Sequence, residues 1–433
     1  MNKATRLFVA GATAAAAGLA LTGCAPAAPA GDGEVVIYGA YGEAQAAAFQ
    51  EELDVWGAEN GINVTFTSLA SFDTDIKVKI EAGEEPDIAL FPQPGGLMGQ
   101  AEAGTVIPLS DVAGYDLAAS QASLVPGWDT LAANEDGIFG LPVSANLKTL
   151  VFYNPSAFAE HGYAVPTTDA ELTALIEQIK ADESGYPFCA GIESGGATGW
   201  AFTDWVEQYV LDYNGVDVYN KWIAGEVAFD SAEVTKAADK VAATLLADGQ
   251  VNGGGAAMAT DNFGNTAPLF ETGGKAKGQC FLLRQGSFIT DFFPDAIKAE
   301  VAAGDYTHAN VFPLPAPDGG QAGVLGGGDL AAAFHNDADV AKVLDFILSD
   351  KVGTIMASAS SFVSPHSTFD TALYPNSLTK TVGETMAKAA VFGFDGSDRM
   401  PSAVNAQFWL SGTDWVAGKV DWKTAAAAIQ AKY

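Results

Sequence analysis

The chain has 433 residues, 48% hydrophobic and 10% aromatic, enough for two or three packed domains or one large two-lobed unit. Its 21 basic residues stand against 53 acidic ones, and the net charge of −32 excludes nucleic acid and anionic lipid surfaces as partners.

Lys3 and Arg6 precede an uncharged alanine- and leucine-rich run, the pattern of a secretory signal over residues 1–23. The ending Leu21-Thr22-Gly23-Cys24 resembles the bacterial lipobox, which implies a diacylglycerol on Cys24 and a chain held outside the cytoplasmic membrane. An ordinary cleaved signal, with Cys24 incidental, is the alternative. Residues 24–33 read as a flexible tether, and loss of Lys3 and Arg6 takes the charge from −32 to about −34. No later stretch is long and apolar enough to span a bilayer. With Cys24 lipidated, Cys189 and Cys280 remain and most simply pair in an oxidising compartment; two buried free thiols are the other option.

Val35 to Tyr38 reads as a strand, Ala44 to Glu59 as an amphipathic helix stopped by Asn60-Gly61, and Val64, Phe66 and Leu69 as a second, alternating strand. This β-α-β order predicts a parallel sheet with ligands at the carboxyl ends of its strands, around Gly39 to Glu43 and Ser68 to Asp73. A helix from about Asp73 to Ala82 and a strand over Asp87 to Phe91 continue the pattern, and the loop Pro92-Gln93-Pro94-Gly95 falls at another carboxyl end. Two short β-rich pieces flank Asn146. Capped amphipathic helices follow in TTDAELTALIEQIKAD and SAEVTKAADKVAATLLADG. No fixed-period repeat is visible, and the whole reads as an α/β protein of two lobes.

The stretch GIESGGATGWAFTDWVEQYV, residues 191–210, runs a glycine-rich loop into a helix. Such a turn also builds phosphate sites, but it lacks the lysine-serine/threonine ending of a P-loop. Tryptophans beside a carboxylate suit a sugar, whose faces carry C–H and whose edge carries hydroxyls.

The segments EEPDIALFPQPG, LPVSANLKTLVFYNP, CAGIESGGATGWAFTDWVEQYVL, CFLLRQGSF, VLGGGDLAAAF and FGFDGSDRMPSAVNAQFW, in this order behind a lipobox, resemble the solute-binding proteins of bacterial ABC sugar importers. The match is to the family of maltose-binding protein and its α-glucoside-binding branch. That resemblance implies a periplasmic-binding-protein-like α/β fold of two lobes joined by a three-strand hinge, crossing near Asn146, Leu325 to Gly328 and Phe362 to Pro365. Lobe one would comprise residues 34–146 and 325–362, and lobe two residues 147–324 and 363–433. A Cys189–Cys280 bridge would then lie within lobe two, fixing two cleft loops against each other.

Candidate ligand contacts in lobe one are Tyr41, Glu43, Asp73 and Gln93, with Asn146 at the first crossing. Each has a structural alternative: covering the sheet for Tyr41, a first-turn charge for Glu43, a cap for Asp73. In lobe two Trp200 offers a ring, Asp204 a carboxylate at a helix start, Arg284 a fork of donors for hydroxyls or for a nearby carboxylate, and Asp395 an acceptor. Gly328 lets backbone approach a ligand beside Asp329. Asp398 and Arg399 read as a local ion pair or turn, and Trp205, Phe362 and Trp409 as structural. An apolar residue is expected where Arg399 precedes Met400-Pro401.

The function implied is capture of an α-glucoside or small oligosaccharide and delivery to an importer permease, by a monomer without cofactor, metal or catalytic residue. An exported glycoside hydrolase would need two carboxylates at a set separation, which counting acids cannot exclude. A binder of another polar solute such as glucosylglycerol is a further alternative. His161, His308, His335 and His366 show no metal-ligand spacing.

Overall fold

The computed structural model describes residues 31–69, 71–125, 128–359, 362–387 and 391–433. The leader, Cys24 and the start of the tether lie outside them. The strands are β1 Glu34–Gly39, β2 Asn63–Ser68, β3 Ile88–Phe91, β4 Ala132–Asn134, β5 Gly137–Pro142, β6 Asn146–Leu147, β7 Leu150–Tyr153, β8 Tyr186–Phe188, β9 Cys280–Gln285, β10 Asn310–Pro313, β11 Val324–Gly327, β12 Leu330–Ala333 and β13 Phe392–Phe394. Among the described residues they form three sheets, two of them the centres of α/β lobes and the third the hinge between.

The first sheet runs β2-β1-β3-β12-β5-β4. β1 pairs in parallel with β2 and β3, as the β-α-β pattern predicts, whereas β12 returns antiparallel to β3 and β5. The sheet is therefore mixed. The crossover helix Glu43–Asn60 lays Phe49 and Leu53, both fully buried, against Ile37 and Val64. Burying each is worth about 1.5–3 kcal/mol. Tyr41, Phe49 and Phe66 close this core as a ring triad with centroids 5.2 to 5.5 Å apart. The segment Pro92 to Gly95 is shorter as a loop than its prolines suggest, because Pro94 starts a helix, Pro94–Glu102, with Gln93 as its N-cap.

The second sheet runs β10-β7-β9-β8, with β7 antiparallel to both neighbours and β8 parallel to β9. The Cys189–Cys280 disulfide ties the end of β8 to the start of β9. Against this sheet packs the helix Trp200–Ile223, whose Phe202, Tyr209 and Trp222 are fully buried with Phe229 and Phe408. It is broken at Gly215, where the backbone leaves helical geometry. The helix Asp169–Asp182 on the outside starts with a reciprocal Thr168–Glu171 capping box.

The hinge sheet runs β13-β11-β6, with β6 antiparallel and β13 parallel to β11. Crossings at Asn146 and at 325–327 fall in it. The third crossing, expected near Phe362 to Pro365, is instead β13. Val363 pairs with Ala145, the Ser367 amide donates to Ser123, and Phe369 and Tyr374 join the core of the first lobe. The chain after 362 thus stays with lobe one at least to Tyr374, so the expected boundary at 362/363 is too early. Backbone bonds and the two rings hold it there, and neither leaves a hydrophobic period to read.

No helix among the described residues is long and apolar enough to cross a membrane.

Candidate functional site

Between the lobes lies a cavity of about 870 Å³ whose lining includes Tyr41, Glu43, Asp73, Gln93, Asn146, Trp200, Gly328 and Asp329. On the lobe-one side these residues follow strand ends: Tyr41 and Glu43 come after β1, Asp73 after β2, Gln93 after β3. Asp73 is the second residue of the helix Phe72–Ala82, behind an N-cap at Ser71, so it faces the cavity rather than capping. The Gln93 amide, oriented as its surroundings dictate, donates to the Asp73 carboxylate, and burial raises the Asp73 pKa.

Asp329 follows the hinge strand β11 and accepts from the Ser144 hydroxyl at 2.7 Å. Burial pushes its pKa up to about 6. Burial, and then the Asp329 charge, also hold the Tyr41 hydroxyl well above its ordinary value. A Cβ on Gly328 would stand 2.1 Å from the Ser144 carbonyl oxygen, so only glycine lets the two backbones close here. Beside them the Asn146 Oδ1 is buried without a donor, an acceptor open to a ligand hydroxyl.

On the lobe-two side the wall is aromatic. Trp200 packs its ring edge-on to Phe263 and tilted on Phe288, and Phe292 and Trp409 extend the surface. The glycine loop ahead of Trp200 is explained by Gly199, with φ of 117°, where a Cβ would meet the Trp409 carbonyl oxygen at 2.5 Å. Gly199 starts the helix while bringing it against the helix Ser402–Val416. Trp205 is core, 3% exposed, as its helical position suggests.

Three expected contacts lie beneath this wall instead of on it. Asp204 is the fifth residue of its helix, not a start position, and is 1% exposed. It accepts from Lys148 Nζ at 3.1 Å, and its backbone carbonyl accepts from Arg284 at 3.0 Å. Arg284 points inward from β9, stacked over Trp205, and serves the carboxylate rather than a ligand. Asp395 caps the turn Gly396–Arg399 and accepts from Lys148 and from Ser397. Lys148 and Arg284, the buried cations among the described residues, are held against acids, and the sequence does not say which acids those are.

The carboxylates around Lys148 do not share its charge equally. Burial opposes ionisation of Asp395, but the Lys148 ammonium wins and holds it at about 2. Burial pushes Asp204 up to about 6 against the same ammonium, and raises Glu207 well above its ordinary value. Burial alone would lower Lys148; Asp204 and Asp395 hold it raised. Asp204, Glu207 and Asp395 approach closely enough to ligate a metal, but the ammonium already bonds two of the three, Asp204 and Asp395. The histidines are dispersed: His161 stacks on Tyr163, His308 bonds Glu300, His335 bonds Asp87 and His366 bonds Ser123.

Lys148 and Asp398 line the cavity, and neither was expected there. Burial, then the Asp395 charge, raise the Asp398 pKa and favour a carboxylic acid that donates as well as accepts. Arg399 turns away to Asn220 at 2.8 Å, so the altered residue before Met400 leaves the cleft edge untouched. The signal for Lys148 was its isolation in SANLKTLVFYNP, the same signal that singled out Arg284. Phe362 and Trp409, expected to be structural, are buried and also face the cavity.

The sequence pattern of a family described as bacterial extracellular solute-binding protein matches residues 39–354. The osmoprotective compounds-binding protein GgtB of Synechocystis sp. is 32% identical over 395 residues, covering 89% of each chain. The alpha-glucosides-binding periplasmic protein AglE of Rhizobium meliloti is 32% identical over 403 residues, covering 92% of this chain and 86% of the other. Among solved structures, the bacterial solute receptor AcbH, described as exclusively preferring β-D-galactopyranose, superimposes with a TM-score of 0.74 over 93% of this chain and 97% of its own at 19% identity.

Proposed function

Because this chain belongs to the bacterial extracellular solute-binding proteins, we propose that its cleft captures an α-glucoside or small oligosaccharide and hands it to the permease of an ABC importer. The observation that carries this reading is the lining of the cavity: rings from one lobe facing polar groups from the other. Rings cover the C–H faces of a sugar, and Asp73, Gln93, Asn146 and Asp329 match its hydroxyls. A preformed, mostly apolar pocket of this size with a few convergent polar groups is the usual form of a small-ligand site.

In the proposed cycle the sugar meets one lobe first, and rotation about β6, β11 and β13 completes the contacts of the other. The closed state gains by its differential affinity for the ligand. Binding, without chemistry, is the whole task of this chain, and a monomer suffices. Cys24 carries the lipid that keeps it at the outer face of the membrane; incorporation of labelled palmitate, abolished by Cys24→Ser, tests the anchor.

Calorimetric titration of the form beginning after Cys24 against α-linked glucosides, with β-linked sugars and amino acids as controls, tests the ligand. Saturable one-to-one binding without product is expected. No heat with any sugar moves the reading to another solute, and slow heat with released glucose revives a hydrolase. Glucosylglycerol, the polar solute raised as an alternative by the sequence, joins the panel as a second candidate.

A further inference from the structure

A buried lysine in a ligand cleft ordinarily suggests an anion site. Lys148 does not fit that description. Its side chain, 7% exposed, lies between the hinge strand β6 and β7 and passes Gly327, where a Cβ would stand 3.5 Å from its Cε. Nζ donates to Asp204 and Asp395, both 1% exposed, and stands 4.9 Å from the centroid of the Trp200 ring. Arg284 stands behind Asp204 at 3.8 Å. The positive charge is therefore compensated from below before any ligand arrives.

An ammonium carries three N–H donors, and the carboxylates account for two. Lys148 lines the cavity beside Trp200, which leaves one donor for the cavity side. Around that space the lining acids are Glu43, Asp73, Asp291, Asp329 and Asp398. Lys298, which also lines it, forms a solvent-exposed pair with Asp295 at 2.9 Å. A ligand carboxylate or phosphate would bring negative charge beside Glu43, Asp73, Asp291 and Asp329, whose nearest cation is already neutralised; Asp398, favoured as the neutral acid, adds no repulsion. A hydroxyl or ring oxygen brings none, and a hydrogen bond from a charged donor is roughly twice as strong as a neutral one.

We propose that Lys148 is a specificity-determining ligand contact: it donates its remaining N–H to an uncharged oxygen of a sugar seated on Trp200, and the surrounding acids reject sugar acids and sugar phosphates. This rests on the carbohydrate-binding reading above and narrows it to neutral sugars. Asp204, Asp395 and Arg284 are positioning residues that fix the ammonium and relieve it of its charge.

The test measures, by calorimetry, the affinity of wild type, Lys148→Arg and Lys148→Met for whichever panel sugar binds, and for the matching uronic acid. Lys148→Arg keeps the charge that Asp204 and Asp395 need, so its melting temperature should stay near that of wild type. Both variants should bind the neutral sugar about tenfold or more weakly, and wild type should bind the uronic acid about a hundredfold more weakly than the sugar. Should neither variant fold, lysine-labelled wild type decides: the Cε signal of Lys148 should shift at saturation. Neutral-sugar affinity within twofold of wild type in a folded variant, an unmoved Lys148 signal, or equal affinity for the uronic acid overturns the proposal alone. Failure of wild type to bind any sugar overturns the carbohydrate reading and this inference with it.

Discussion

On the lobe-one wall of the cleft, the polar groups facing the cavity sit on turns that follow parallel strands, each carried by its own short connection from β1, β2 or β3. On the lobe-two wall the cavity meets rings, and the strongest charges lie one layer down, packed around Lys148 between β7, β9 and two helices. The first wall is assembled by topology: strand ends converge, so the residue after each strand faces the ligand. The second is assembled by packing: rings are set by a glycine-permitted helix approach at Gly199 and fixed from beneath by a buried ion cluster. Loss of a lobe-one contact should therefore cost binding, whereas loss of a group beneath the lobe-two wall should cost folding first.

The largest expected effect follows from that layer of charge. Asp395→Ala removes a carboxylate held at about 2 by Lys148 and leaves the ammonium short of a partner in a 1%-exposed site. Breaking a buried pair from one side costs about 3–5 kcal/mol, so denaturant melts should show a loss of that order. Asp73→Ala, on the other wall, should change stability by less than about 1 kcal/mol and lower sugar affinity instead. Equal stability losses for the two would erase the distinction between the walls. Replacing Cys189 and Cys280 together by serine should cost about 2–5 kcal/mol, because the bridge closes a separation of 91 residues within lobe two. Trp200→Ala should weaken sugar binding about tenfold to a hundredfold, since its ring lines the cavity, and should lower melting as well, since the ring packs on Phe263 and Phe288.

The same contrast explains what was legible in the sequence. Tyr41, Glu43, Asp73 and Gln93 could be placed because hydrophobic period fixes the strands and the strands fix the turns. Asp204, Arg284 and Asp395 were correctly seen as unusual, but whether a charge in an apolar run faces a ligand or another charge depends on which distant segment packs over it. Asp204 and Asp395 are 191 residues apart and share Lys148 as their common partner. Lys148 was the missing term that converts three separate guesses into one cluster. The third hinge crossing was misplaced for a related reason. The segment after Phe362 is held to lobe one by backbone bonds to Ser123, Val125 and Ala145, which have no side-chain signature, and by the rings of Phe369 and Tyr374, whose spacing makes no helix or strand period.

Asp329 gives the smallest and most discriminating test, because stability and binding should respond to pH with opposite signs. Burial raises its folded pKa from 3.8 to about 6. Between those values the folded protein holds a proton that the unfolded chain has released, so this group's contribution to stability is full below about 3.8 and is lost as pH rises through about 6. A sugar hydroxyl donates more strongly to the Asp329 carboxylate than to the neutral acid, so affinity should instead increase as pH rises through about 6, falling by up to about tenfold per unit below it. Asp204 titrates in the same range but lies beneath the wall, so Asp329→Asn separates the two: whatever pH dependence of affinity survives in the variant belongs to other groups. Wild-type affinity about tenfold weaker at pH 5 than at pH 7, flattened in Asp329→Asn, would place the carboxylate against the ligand. Identical pH profiles in the two proteins would return Asp329 to a purely structural role with Ser144 at the hinge.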